Sequence, residues 1–279
     1  MKQIVLYSII LFTILASCKK NNDRNGKEKK ISAAVVNNIN NVFSYDAQGR
    51  LQRIDYGVSH YLLVEYKAAG TVLQWYLADG TPIATRRYEF NLLDGRIVSG
   101  KESKANSRIV THSYGYDNEG RLTEHSARDV YEPTNEEAHR VIFTYSYTGN
   151  NAGKITYLHF DQGLRRDSAV ITQTYYTNKK LFTWQAVGFG FFGQTASGLP
   201  HQGLGISSPI TILPFQAYYP SVNALKETTR DQYEWNIAQN KWVYKNTSGY
   251  TLPETDYEYN GEGYLISFSG AEKIEWNQK

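Results

Sequence analysis

The chain has 279 residues, a single cysteine, and a formal net charge of +3 from 30 basic and 27 acidic side chains. So small a charge argues against a dedicated nucleic-acid binder, and one cysteine excludes any disulfide within the chain, so stability must come from a core. Aromatic residues make up 14% of the chain and 23 of its residues are tyrosine, a residue suited to a pleated, half-buried surface.

Residues 1–17 read as a signal peptide, with Lys2 as the positive start and an apolar run from Ile4 to Leu15. That run is shorter than the roughly 20 residues of a membrane span. Leu15-Ala16-Ser17-Cys18 matches the bacterial lipobox, which makes Cys18 the acylated first mature residue and predicts attachment to a membrane. Residues 18–40 are expected to form the lipidated cysteine and a flexible polar tether. Lys19–Lys30 has no apolar residue to bury, and its basic excess also suits anionic headgroups.

Residues 41–276 read as a single all-β domain. His60–Tyr66 and Thr71–Leu77 flank a hairpin signal at Lys67–Gly70, and Ala78–Pro82 makes the next turn. Arg108–Tyr116, Val141–Tyr147, Ile155–Phe160 and Ala169–Tyr176 are rich in β-branched and aromatic residues. The pattern predicts a long solvated loop over 127–139, a tight turn over Tyr176–Leu181 and at most a short helix over Ser221–Asp231. Residues 187–220 interrupt the series with a Gly-, Phe- and Pro-rich insertion that is low in charge. Its aromatics argue that it packs, as a plug, a cap or the lining of a pocket. Trp184, Phe189, Phe191, Phe192, Phe215, Tyr218 and Tyr219 are the candidate ligand-facing rings.

One phrase recurs. Tyr114-Gly-Tyr116-Asp-Asn-Glu-Gly120-Arg121-Leu122 places two tyrosines on one strand face, then a turn closed by a left-handed glycine, then a basic and an aliphatic residue. Phe43–Leu51, Tyr88–Ile97, Tyr145–Ile155 and Tyr257–Leu265 are variants, which nominates Gly49, Gly95, Gly120, Gly153 and Gly263 as turn glycines. Tyr233–Trp242 is a weaker sixth copy with Asn240 in the left-handed position. The period is irregular, which fits hairpins of unequal length in one antiparallel sheet rather than a solenoid.

These units resemble the tyrosine–aspartate repeats of RHS-type proteins. Together with the lipobox, the arrangement resembles a family of uncharacterised bacterial envelope lipoproteins with a porin-like fold, over most of residues 41–276. The resemblance implies an antiparallel meander of hairpins, curled or closed like a barrel. It also implies an outer-membrane lipoprotein, since no Asp follows Cys18, and leaves open which side of the membrane it faces. It implies no catalytic residues. Arg86-Arg87, Arg165-Arg166 and Lys179-Lys180 argue against a lipid-embedded barrel, because charge on a lipid face costs ~2–4 kcal/mol at the midplane.

Chemistry is sparse. Gly188-x-Gly190-x-x-Gly193 copies a dinucleotide fingerprint without the strand and helix that would make it work. His60, His112, His125, His139, His159 and His201 lack metal-ligand spacing and read as exposed strand or loop residues, so no metal or cofactor is expected. Asp167-Ser168-Ala169 matches a short O-glycosylation signal. Carboxylates such as Asp94, Glu136 and Glu137 abound, but sequence selects no pair for hydrolysis. The expected function is a non-enzymatic envelope module binding a glycan or a protein. The alternatives are a structural shell and, third, a glycan-directed hydrolase.

Overall fold

The computed structural model describes residues 29–36, 39–68, 70–93, 96–104, 106–180, 191–193, 212–214, 223–268 and 272–277. Residues 30–277 form one compact unit. Its strands are β1 (Ile31–Val36), β2 (Ile39–Tyr45), β3 (Leu51–Tyr56), β4 (His60–Lys67), β5 (Gly70–Leu77) and β6 (Pro82–Leu93). They continue as β7 (Arg96–Ser103), β8 (Arg108–Tyr116), β9 (Leu122–Tyr131), β10 (Glu136–Thr148), β11 (Asn151–Asp161) and β12 (Leu164–Lys180). Two short strands, β13 (Phe191–Gly193) and β14 (Ile212–Pro214), pair only with each other. The chain then returns through β15 (Asn223–Asn236), β16 (Lys241–Thr251), β17 (Tyr257–Tyr259), β18 (Leu265–Phe268) and β19 (Glu272–Trp276).

All but β13 and β14 belong to one 17-stranded sheet. Successive strands of the sheet pair antiparallel except β16 and β17, with β12 joined to β15 across the insertion, and β1 pairs with both β2 and β19. The sheet curls but does not close: β16 and β17 are its two edges, with no ladder between them. Side chains bridge the seam instead. Tyr257 Oη donates to the Leu225 carbonyl at 2.7 Å and Tyr176 Oη to the Leu252 carbonyl at 2.8 Å, while Lys179 Nζ lies 3.5 Å from Glu254.

The recurring phrase builds one rim of this sheet, termed here the turn rim. Asp46 accepts the backbone N–H groups of Gln48 and Arg50 with one oxygen and Arg50 Nε with the other. Asp117 holds Arg121 in the same way, and Asn260 holds the backbones of Glu262 and Tyr264. Gly49, Gly120 and Gly263 close these turns at φ +75°, +81° and +86°. Burial opposes ionisation of Asp46 and Asp117, but the bonds from Arg50 and Arg121 outweigh it and hold both carboxyls below the usual range.

Tyrosines join one hairpin to the next. Tyr66 Oη donates to the Leu51 carbonyl, Tyr116 to Ile97, Tyr147 to Leu122 and Tyr175 to Ala152, each at 2.7–2.8 Å. The acceptor in each case belongs to the first or second residue of the preceding return strand. The basic residue just before that acceptor lies over the same ring: Arg50 is 4.2 Å from the Tyr66 centroid, Arg96 5.7 Å from Tyr116 and Arg121 4.9 Å from Tyr147. Each Gly-Arg-aliphatic step therefore supplies both a cation and a carbonyl to its neighbour's tyrosine.

A bulge accompanies each of these hairpins. Register slips by one residue between Ser44 and Tyr45, Asn91 and Leu92, Gly115 and Tyr116, Ser146 and Tyr147, and Glu258 and Tyr259. The extra residue lies in the return strand, so its inward positions run Leu51, Ile54, Tyr56 or Ala152, Ile155, Tyr157. Bulges also increase twist, and their repetition along one rim helps a wide sheet to curl.

Inward residues from nearly every strand form one continuous core, including Leu51, Leu62, Leu73, Phe90, Val110, Phe143, Tyr157, Ile171 and Ile274. Facing outward are residues such as Ser44, Gln52, Glu65, Glu89, Lys101, Thr111, Thr144 and Lys154. A membrane barrel has the opposite polarity, with apolar groups outside and a polar lumen. No helix among the described residues is long and apolar enough to cross a membrane.

Several local expectations are corrected. β1 falls inside the stretch read as tether, residues 18–40. Residues 127–139 form a hairpin, β9 and β10 meeting at 132–135, because Arg128–Glu137 and Arg108–Asp129 ion pairs support charged residues in strands. Tyr176–Lys180 continues β12, and Ser221–Asp231 enters β15 rather than a helix because β12 supplies a long ladder partner. Gly153 is not the turn glycine of its hairpin. Gly149 holds the left-handed position at φ +59°, and Gly153 is the bulge residue inside β11. Asn240 is left-handed at φ +49°, but its hairpin turns at the opposite rim. Gly95, Cys18 and the fingerprint glycines Gly188 and Gly190 lie outside the described residues.

The turn geometry predicts an order of substitution effects. Nothing lies within 4 Å of a Cβ added at Gly49 or Gly263, so alanine there should cost only conformational strain, about 1 kcal/mol, and asparagine less. A Cβ at Gly120 would run into the Arg96 guanidinium, so Gly120→Ala should cost more than Gly49→Ala by dislodging Arg96 from Tyr116. Thermal unfolding checks this; alanine no worse than asparagine at both Gly49 and Gly263 would contradict it.

Candidate functional site

The rim opposite the turns gathers the titratable side chains. There β8 and β12 begin, β9 and β11 end, and the turns at 132–135 and 162–163 stand on either side of a cleft of about 610 Å³. Arg108, Tyr131, Glu137, His139, Arg140 and Asp161 line it. Arg108 forks onto Asp129, which is fully buried and also has Lys104 Nζ at 4.0 Å. Glu137 takes Arg128 at 2.9 Å and Arg140 at 3.6 Å. Asp161 takes Arg166 at 3.0 Å.

His139 and His159 meet beside this cleft because of register. His139 pairs with Asp161 and Val141 with His159, which puts both imidazoles on the inner face with ring centres 5.8 Å apart. Each has a carboxylate at Nδ1: Asp167 at 2.7 Å from His159, and Asp161 at 3.6 Å from His139. Arg230 faces the same region, and burial lowers its pKa against the opposing pull of Tyr157 and Asp167. Among the described residues, no group of three or more His, Cys, Asp or Glu side chains is placed to hold a metal.

Deeper in the core, His112 and His125 stack at 5.5 Å, joined by a 3.2 Å contact between His112 Nδ1 and His125 Nε2. Tyr114 and Phe143 stack on His125, and Glu102 lies 3.8 Å from His112. These two histidines were expected on the surface and are instead 4% and 0% exposed. The bulge after Gly120 explains this: it advances the inward phase from Leu122 to His125, Ala127 and Asp129.

Of the rings nominated from sequence, Trp184, Phe189, Phe215, Tyr218 and Tyr219 lie outside the described residues. Phe191 and Phe192 lie in β13, paired with Pro214 and Leu213. Ser168, of the proposed glycosylation signal, is 8% exposed within β12, where a modifying enzyme could reach it only before folding.

Comparison with known proteins bears on the fold. Among solved structures the chain is similar to a porin-like protein from Bacteroides vulgatus, with a TM-score of 0.57 and 7% identity over 90% of this chain and all of that one. The fold is porin-like. A second porin-like protein, from Bacteroides uniformis, matches at a TM-score of 0.48 and 12% identity, over 88% of this chain and 94% of that one. No protein-family model and no curated protein matches the sequence. In this porin-like sheet the inner face is filled by core side chains, and the polar cleft is confined to one rim.

Burial holds the His125 pKa well below its ordinary value, with the neighbouring His112 acting in the same direction. The folded protein therefore keeps His125 neutral while the unfolded chain takes up a proton below about pH 6.5. Its contribution to stability is full above that pH and is lost as pH falls, by at most about 1.4 kcal/mol per pH unit. His125→Phe keeps a stacked ring and cannot titrate, so it should lose less stability than the parent between pH 7 and pH 5. Equal losses in denaturant titrations at the two pH values would contradict this.

Proposed function

We propose that the protein is a non-enzymatic lipoprotein of the outer membrane that carries a binding cleft on the rim opposite the start of its sheet. The observation that carries this reading is the placement of the two ends. Lys30, where the tether meets the sheet, stands at the turn rim with its carbonyl bonded to the Asn277 N–H, while the 610 Å³ cleft opens at the opposite rim. Acylation at Cys18 would fix the first end to the membrane and leave the cleft free for a soluble ligand, a glycan or a protein segment.

Binding fits this cleft better than hydrolysis. Glu137, Asp161 and Asp129 are each engaged by an arginine, so the cleft presents ion pairs rather than two carboxyl groups open to a sugar. A shell that encloses cargo fits poorly with an interior already occupied by its own core.

Two measurements test the proposal. Cys18→Ala should lose lipid labelling and leave the membrane fraction; a variant that stays lipidated there would overturn the anchor. A screen of sugars and amino acids for thermal stabilisation should yield ligands that protect the parent but not Tyr131→Ala, whose side chain lines the cleft and is 43% exposed. Turnover of such a ligand would overturn the non-enzymatic part.

A further inference from the structure

The outer face of the sheet carries a row of cations and aromatic rings that the cleft does not explain. Arg140 is register-paired with Arg128 on one side and with Phe160 on the other, and Phe160 is paired with Arg165. On the next two strands Trp235 is paired with Trp242. These residues alternate with inward Ala127, Val141, Ala169 and their neighbours, so they share the outer face at one height. The row crosses β9, β10, β11, β12, β15 and β16, roughly 24 Å at the usual strand spacing.

The row is held together by ring contacts. The Arg140 guanidinium lies 4.4 Å from the Phe160 centroid and that of Arg165 lies 4.7 Å from Trp235. Trp235 and Trp242 meet edge to face at 5.0 Å, and Tyr233 and Tyr244 do the same alongside at 5.9 Å. Placing Arg128 directly opposite Arg140 is unfavourable alone, and Glu137 between them offsets it. Arg165 is exposed and makes no ion pair among the described residues. Arg140 Nε has no hydrogen-bond partner there.

We propose that this row binds an acidic polysaccharide, a uronate polymer laid across the strands. Sugar rings would pack on the aromatic faces while carboxylates meet the guanidinium groups. Charge complementarity supports an anionic occupant, since the outer face along the row offers Arg128, Arg140 and Arg165 against Glu137 and Asp231. Spacing supports a saccharide: Arg140 and Arg165 are two strands apart, roughly 10 Å, the repeat of an extended disaccharide. This surface meets the cleft at Arg140, but Arg165, Trp235 and Trp242 lie outside it, and the surface does not depend on the lipid anchor.

Affinity electrophoresis of the full chain through gels containing alginate tests the proposal, with neutral dextran and oligo(dT) as the other probes. Retardation by alginate should weaken as salt is raised, and Arg165→Gln and Trp242→Ala should each raise the apparent Kd by about fivefold. Tyr131→Ala, in the cleft, should leave it unchanged, which separates failure here from failure of the cleft reading. Unchanged melting temperatures of the variants would show that they fold. Absence of retardation by alginate would overturn the proposal, as would retardation insensitive to Arg165→Gln. Equal retardation by dextran would mark an uncharged-sugar surface, and stronger retardation by oligo(dT) a nucleic-acid surface; either would also overturn it.

Discussion

A tyrosine hydroxyl held against the carbonyl near the start of the preceding return strand is the contact on which the turn rim depends. An unpaired hydroxyl inside the curl would be costly to desolvate, and an unpaired carbonyl beside a bulge equally so; the bond satisfies both. Burial shows in the phenols themselves: Tyr116 is pushed up to about 12 even with Arg96 pulling it down. The arginine over the ring adds a second constraint, and its bond to the turn aspartate a third. Through Asp117, Arg121 and Tyr147, one turn is tied to the next hairpin by three kinds of interaction at once.

Much of this was legible in the sequence. The alternating tyrosines, the turn carboxylate and the glycine predict hairpins, and the hairpins predict an antiparallel meander. What strict alternation misses is the bulge. Starting from Leu122, a period of two sends Glu124 inward and His125 out, while the structure does the reverse. The spacing Leu51-x-x-Ile54 and Ala152-x-x-Ile155 contains the correction, and applying it to Leu122 would have buried His125. Ser221–Asp231 lacked any such local cue, because its strand is stabilised by the ladder to β12, a partner that the intervening insertion separates in sequence.

The cleft was less legible than the fold. It depends on two hairpins standing side by side, and on His139 and His159 being diagonal neighbours across β10 and β11. Hairpin arithmetic from the 149–150 turn relates those positions, but only after the bulge at Gly153 is counted. Likewise the outer row of arginines and rings joins residues from 128 to 242, and no window along the chain brings them together. Both features arise from pairing register, a property of the sheet rather than of any segment.

In a closed barrel, strand number, tilt and shear must agree for the first and last strands to meet. The seam between β16 and β17 releases this porin-like sheet from that condition, since the 252–256 connection and side-chain bonds cross it but no ladder does. A two-strand unit gained or lost would change the width of the gap while every other pairing kept its register. The width of such a sheet is therefore a matter of how many hairpins are written, not of geometric closure, so chains with this architecture can differ in length by whole hairpins without redesigning the rest.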